Sequence, residues 1–130
     1  MRTKSIEQLE GDFWKEPREF PTSLVKNSYE YRKKPLMDLT IEEIRILASQ
    51  SIGLKYIVPL ALEKLNEDIL AEGDLYEGDL LICISKIPDE FWKNHTTLLI
   101  NLKEQIEKNS NLIKAAMGDK EWIHLNERLT

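Results

Sequence analysis

Residues 79-DLLICISKI-87 decide the fold. The run is apolar and β-branched enough for a buried strand, and too short for periodicity alone to separate strand from helix. A strand needs a partner, because an unpaired buried run leaves amides and carbonyls without hydrogen bonds. No second convincing strand exists in the chain, so residues 80–87 read as a buried helix. The fold class that follows is all-α: several short helices plus a longer C-terminal helix pair. With 130 residues the chain fits one compact domain, 1–130.

Outward from that run the helix signals are local and chemical. Pro88-Asp89-Glu90 opens a turn or helix holding Phe91 and Trp92. From about Thr96 a long amphipathic helix carries Leu98, Leu99, Leu102 and Ile106, breaks near Asn109-Ser110-Asn111, and continues through Met117 until Gly118. Trp122, Ile123 and Leu125 give the last segment a docking face. Upstream, Ser5–Leu9 makes one helical turn stopped by Gly11, and residues 12–21 form an extended segment pinned by Phe13, Trp14 and Phe20. Thr22 or Ser23 caps a helix ending before Pro35. Thr40-Ile41-Glu42-Glu43 is a capping box, and Gly53 is the expected left-handed C-cap of its helix. Pro59 falls at or near the first turn of a third helix, expected to run to Gly73.

The charge is unevenly placed. Between Glu63 and Asp79 seven acids (Glu63, Glu67, Asp68, Glu72, Asp74, Glu77, Asp79) face one base, Lys64. That segment holds −6 of a net −5, leaving +1 for the other 113 residues. Such a patch repels nucleic-acid phosphates and attracts basic surfaces. The short run Arg32-Lys33-Lys34 reads as solvating a helix end. No apolar run approaches the roughly 20 residues that span a bilayer. No signal region follows the N-terminal charges, and the lone Cys83 sits in an apolar stretch as an unreactive thiol. These features predict a cytoplasmic protein.

Within the acidic segment, 72-EGDLYEGDL-80 says Glu-Gly-Asp twice. A calcium loop needs oxygen ligands at alternating positions over about twelve residues; here Tyr76 interrupts and the spacing misses. His95 and His124 lie 29 residues apart with no nucleophile beside either, and no phosphate loop or zinc spacing occurs. No cofactor, metal, small-molecule substrate or catalytic residue is indicated. Leu75 and Tyr76 embedded among carboxylates have instead the makeup of a protein interface.

Three stretches then resemble one family: 6-IEQLEGDFWKEP-17, 32-RKKPLMDLTIEEIRILASQSIGLKYIVPLALEKL-65 and 72-EGDLYEGDLL-81. In order, over most of residues 5–82, they look like the bacterial immunity proteins of contact-dependent growth inhibition systems. The resemblance implies a non-enzymatic cytoplasmic antidote that binds, 1:1, the C-terminal toxin domain of a surface-delivered effector. Similar members are paired with ribonuclease toxins, some resembling pancreatic ribonuclease. A nuclease cleft is basic, so an anionic surface can steer to it and cover it. Glu63, Glu67, Asp68, Glu72, Asp74, Leu75, Tyr76, Glu77 and Asp79 are the expected contacts. Two alternatives stay open. The repeats could be structural, with Gly73 and Gly78 at positive φ and Asp74 and Asp79 as N-caps, the contacts then lying in the C-terminal half. The chain could also be a regulatory or adaptor domain for another basic partner.

Overall fold

The computed structural model describes residues 2–130 and, among them, is helical with no strand. The elements are α1 (Ile6–Glu10), α2 (Ser23–Lys33), a 3-10 turn (Leu36–Asp38), α3 (Ile41–Ser49), α4 (Leu54–Glu67), α5 (Asp79–Ser85), α6 (Asp89–Lys93), α7 (Thr96–Lys108), α8 (Ser110–Met117) and α9 (Asp119–Arg128). The ambiguous run is α5. Leu80, Leu81 and Ile84 are fully buried and Ile82 nearly so, so this helix is covered almost all round rather than along one stripe. It packs against α3, α4 and α9. Around it Ile44 and Leu47 of α3, Ile57, Ala61 and Leu65 of α4, Leu102 of α7 and Leu125 of α9 complete the core.

Two capping boxes start helices as their sequences dictate. Ser5 Oγ accepts from the Gln8 amide at 3.2 Å while Gln8 Oε1 accepts from the Ser5 amide at 2.9 Å. Thr40 and Glu43 make the same exchange at 3.1 and 3.0 Å. The break between α7 and α8 falls at Asn109, as expected.

Other boundaries differ, each for a local reason. Helix α3 ends at Ser49, and the left-handed residue after it is Ser51 (φ 55°), not Gly53. The Ile52 amide donates to the Leu47 carbonyl and the Ser51 amide to the Ala48 carbonyl, the paired bonds of a Schellman close. Gly53, also left-handed, instead caps the start of α4. Pro59 therefore lies inside α4, not in its first turn, where its missing N–H leaves the Lys55 carbonyl without its helical donor. Helix α4 stops at Glu67 rather than Gly73, and Ile69 and Leu70 reach the core from a turn. Residues 12–21 are irregular as expected; Trp14 and Phe20 meet Tyr29 edge-on at 5.2 and 5.1 Å, but Phe13 is 65% exposed and pins nothing. Ile123 likewise points outward, 53% exposed, and leaves the docking of α9 to Leu125 and Trp122.

The basic run 32–34 does not solvate a helix end. Arg32 is 1% exposed, its Nη2 donating to Glu10 Oε1 at 2.9 Å and to the Asp12 carbonyl at 2.8 Å, with its guanidinium 3.9 Å from the centre of the Trp14 ring. Lys33 pairs with Glu16, and Lys34 Nζ bonds both carboxylate oxygens of Glu43 at 2.8 and 2.9 Å. Three consecutive bases thus tie α2 to α1, to the irregular segment and to α3. Removing the buried one strands its partners, so Arg32→Ala should cost about 3 kcal/mol in urea unfolding. Arg32→Lys, which keeps charge but loses the planar stack, should recover less than half of that.

Candidate functional site

The doubled Glu-Gly-Asp forms a loop whose backbone is held from inside. Asp79, the first residue of α5, has a side chain only 1% exposed. Its Oδ1 accepts from the Gly73 amide at 2.7 Å, and its Oδ2 accepts from the Leu75 and Tyr76 amides at 3.0 and 3.4 Å. Asp79 is among the expected contacts, and the structural alternative makes it the N-cap of the following helix. Gly78 (φ 88°) holds that position instead, and the Asp79 carboxylate turns back to cap the loop before it. The Gly78 amide closes the base of the loop onto the Leu70 carbonyl at 3.1 Å.

A second carboxylate arrives from α3. Glu42 Oε1 accepts from the Asp74 amide at 3.0 Å while Arg45 grips Glu42 with two nitrogens at 2.7 and 2.5 Å. Arg45 Nε also lies 3.8 Å from Asp79 Oδ2, linking both loop-holding carboxylates through one guanidinium. Asp74 is thus held by its amide, not used as an N-cap. The two glycines have different reasons. Gly78 takes the positive φ expected of it, whereas Gly73 does not; a Cβ at Gly73 would stand 2.4 Å from Glu42 Oε1 and 3.1 Å from Asp79 Oδ2. Glu42 and Arg45 escaped notice in the sequence because Glu42 sits inside a capping box and reads as first-turn helix charge.

What the loop presents outward is Glu72, Asp74, Leu75, Tyr76 and Glu77, all exposed, with Leu75 at 62% and Tyr76 at 49%. Glu67 and Asp68 are exposed at the end of α4, where Asp68 Oδ1 accepts from the Leu70 amide at 3.0 Å. Among the described residues none of Glu67, Asp68, Glu72, Asp74 and Glu77 has an ion-pair partner, while Glu63 pairs with Arg2. Asp79 faces inward and contributes no outer surface. The acidic residues do not line a single cleft. Glu63 and Glu67 border a groove between α4 and α7, whereas Tyr76 and Glu77 border another against α5, α8 and α9. In the second groove Arg128 donates to Glu121 and to Ser85, both at 3.0 Å, and burial, with Glu121 adding to it, pushes the Tyr76 phenol up.

The other chemistry-bearing side chains have local partners. His95 stacks on Phe91 with its Nδ1 2.9 Å from the Phe91 carbonyl, and His124 lies 4.0 Å from Glu121 on α9. Cys83 is half-buried, its thiol donating to the Arg45 carbonyl at 3.3 Å, and burial pushes its pKa up. Among the described residues no group of three or more His, Cys, Asp or Glu is placed to hold a metal ion, and no helix is long and apolar enough to cross a membrane.

An anionic loop of fixed backbone with an exposed aromatic near its tip is the build of a protein-binding domain. A family model described as CDI immunity proteins, the proteins of contact-dependent growth inhibition, matches residues 8–102, and the chain belongs to that family. The match runs from α1 into α7 and contains the whole acidic segment; residues 103–130 lie beyond it. No curated protein and no solved structure matches the chain. The family act in immunity against a CDI toxin, bind a cognate toxin protein, and are generally non-catalytic.

The loop's anchoring makes two expectations concrete. Gly73→Ala should destabilise by about 2 kcal/mol through crowding, and a double-mutant cycle with Glu42→Ala should show a favourable coupling of about 1 kcal/mol as the crowding is relieved. The Arg45 guanidinium holds the Glu42 carboxyl below the ordinary glutamate value of 4.5, against burial and aided by the Asp74 amide. Burial pushes Glu43 up, but Lys34 and the Thr40 amide more than offset it, so it too lies below 4.5. Both groups bind fewer protons folded than unfolded, so their stabilisation is complete above about pH 4.5 and is lost as pH falls through the lower folded values. Thermal melts from pH 6 to pH 3 should show that decline, with a shallower acid limb in Glu42→Gln.

Proposed function

We propose that this protein neutralises its cognate CDI toxin, a ribonuclease, by binding it 1:1 in the cytoplasm and covering its basic active-site cleft with the acidic segment. The observation that carries the reading is the set of exposed, unpaired carboxylates (Glu67, Asp68, Glu72, Asp74, Glu77) around Leu75 and Tyr76. Unpaired charge projects its field into solvent, where it accelerates encounter with a cationic surface and competes with the phosphates that surface binds. Leu75 and Tyr76 supply the apolar contact that charges alone do not. Because the 73–76 amides are already fixed by Asp79 and Glu42, the loop orders little on binding and spends little entropy doing so. Asp79 is part of this mechanism from within, as the support of the surface. Glu63 contributes at the edge, where Arg2 already shares its charge.

The test is a purified toxin domain, taken from the effector encoded immediately upstream, assayed for RNA cleavage. One equivalent of this protein should abolish cleavage; activity persisting in excess protein would refute the function. The association rate should fall steeply with salt. Combining Glu67→Lys, Glu72→Lys and Glu77→Lys should lower it about tenfold or more at low salt while leaving the melting temperature in place, since none of the three carboxylates has an ion-pair partner among the described residues. An unchanged association rate would remove the acidic segment from the mechanism.

A further inference from the structure

Successive amides of the 72–77 loop, from Gly73 to Tyr76, each donate to a carboxylate: Gly73, Leu75 and Tyr76 to Asp79, and Asp74 to Glu42. Both carboxylates face one guanidinium. Arg45 grips Glu42 through Nε and Nη2, and its Nε stands 3.8 Å from Asp79 Oδ2. Among the described residues neither carboxylate has another ion-pair partner. The two converge beside Gly73, where a single added Cβ would lie 2.4 Å from Glu42 Oε1 and 3.1 Å from Asp79 Oδ2. Like charges brought together in this way repel unless a cation offsets them. Arg45 reaches the loop from a fixed place, because its carbonyl accepts from the Cys83 thiol of α5.

We infer that Arg45 is a positioning residue for toxin binding: without meeting the toxin itself, it sets the path on which Leu75 and Tyr76 are presented. The inference rests on the toxin-binding reading above and adds to it a residue of α3, outside the acidic segment. Without the guanidinium, Glu42, the more exposed of the two carboxylates, swings to solvent and releases the Asp74 amide. Asp79 keeps its three amides but loses its countercharge. The loop then samples several paths and must be re-ordered on binding. Charge alone predicts a different outcome. Removing a cation from beneath an anionic loop makes that loop more negative, so steering to a cationic surface would be as fast or faster. A lost path appears instead as faster dissociation.

The test is the dissociation rate of the complex with the upstream-encoded toxin domain. Arg45→Met, which keeps the stem, should dissociate about tenfold faster with association at low salt undiminished. Arg45→Lys, which keeps the charge and loses the two-nitrogen grip, should lie between it and wild type. Tyr76→Ala should cost less in the Arg45→Met background than alone, because the ring is no longer held in place. Arg32→Lys, which weakens the fold at the separate tie between α1 and α2, should dissociate like wild type and so separates position from stability. Should Arg45→Met fold poorly, Glu42→Ala, which removes only the Asp74 anchor, should show the same faster dissociation. A wild-type dissociation rate in these variants, equal acceleration by Arg32→Lys, or full additivity with Tyr76→Ala would overturn the positioning role while leaving the antitoxin reading intact. A wild-type protein that does not bind the toxin domain would overturn that reading itself, and the positioning role with it.

Discussion

The structure turns on one inward-facing carboxylate. Asp79 stands at the start of the most buried helix and satisfies three successive parts of the loop that precedes it, at Gly73, Leu75 and Tyr76. A buried carboxylate is costly unless it is met by donors, and here three backbone amides supply them while Arg45, 3.8 Å away, adds opposite charge. The same residues lock α3 to α5, because Arg45 and Glu42 leave α3 to reach that loop. Core packing and loop shape are consequently one constraint, and the exposed surface inherits its geometry from it.

The N-terminal third is fastened by a similar economy. Arg32, Lys33 and Lys34 project to three different elements from one helix end, meeting Glu10, Glu16 and Glu43. Only Arg32 is buried, and its planar head lies over Trp14 while donating to both a carboxylate and a carbonyl. Lysine could not supply that combination. The irregular stretch after α1, without helical hydrogen bonds of its own, is held by this guanidinium and by the rings around Tyr29.

Much of the helical framework was legible because its signals are local. A capping box needs only residues three apart, and the one at Thr40–Glu43 formed where its letters stand, with a second, unanticipated, at Ser5–Gln8. At 80–87 the lack of any partner strand favours a helix, and the structure has one over Asp79–Ser85. What could not be read depends on distant neighbours. Ser51 takes the left-handed turn that Gly53 advertised, because the Schellman bonds close two residues earlier. Pro59 sits inside a helix whose start the glycine at 53, not the proline, marks. Gly73 owes its identity to carboxylates from α3 and α5 that approach only after folding. The acidic segment was visible as a sum of charges, but its division between two grooves requires the positions of α7, α8 and α9.

A loop whose curvature is dictated by buried anchors behind it has an unusual freedom in front. Among the described residues the side chains at 72, 75, 76 and 77 make no hydrogen bond or ion pair that holds its path, which is set by amides and by residues from other helices. They can be exchanged without asking the scaffold to refold around them. Such a platform keeps its shape while a handful of its outer letters change, so sequence variation at its face costs the fold little.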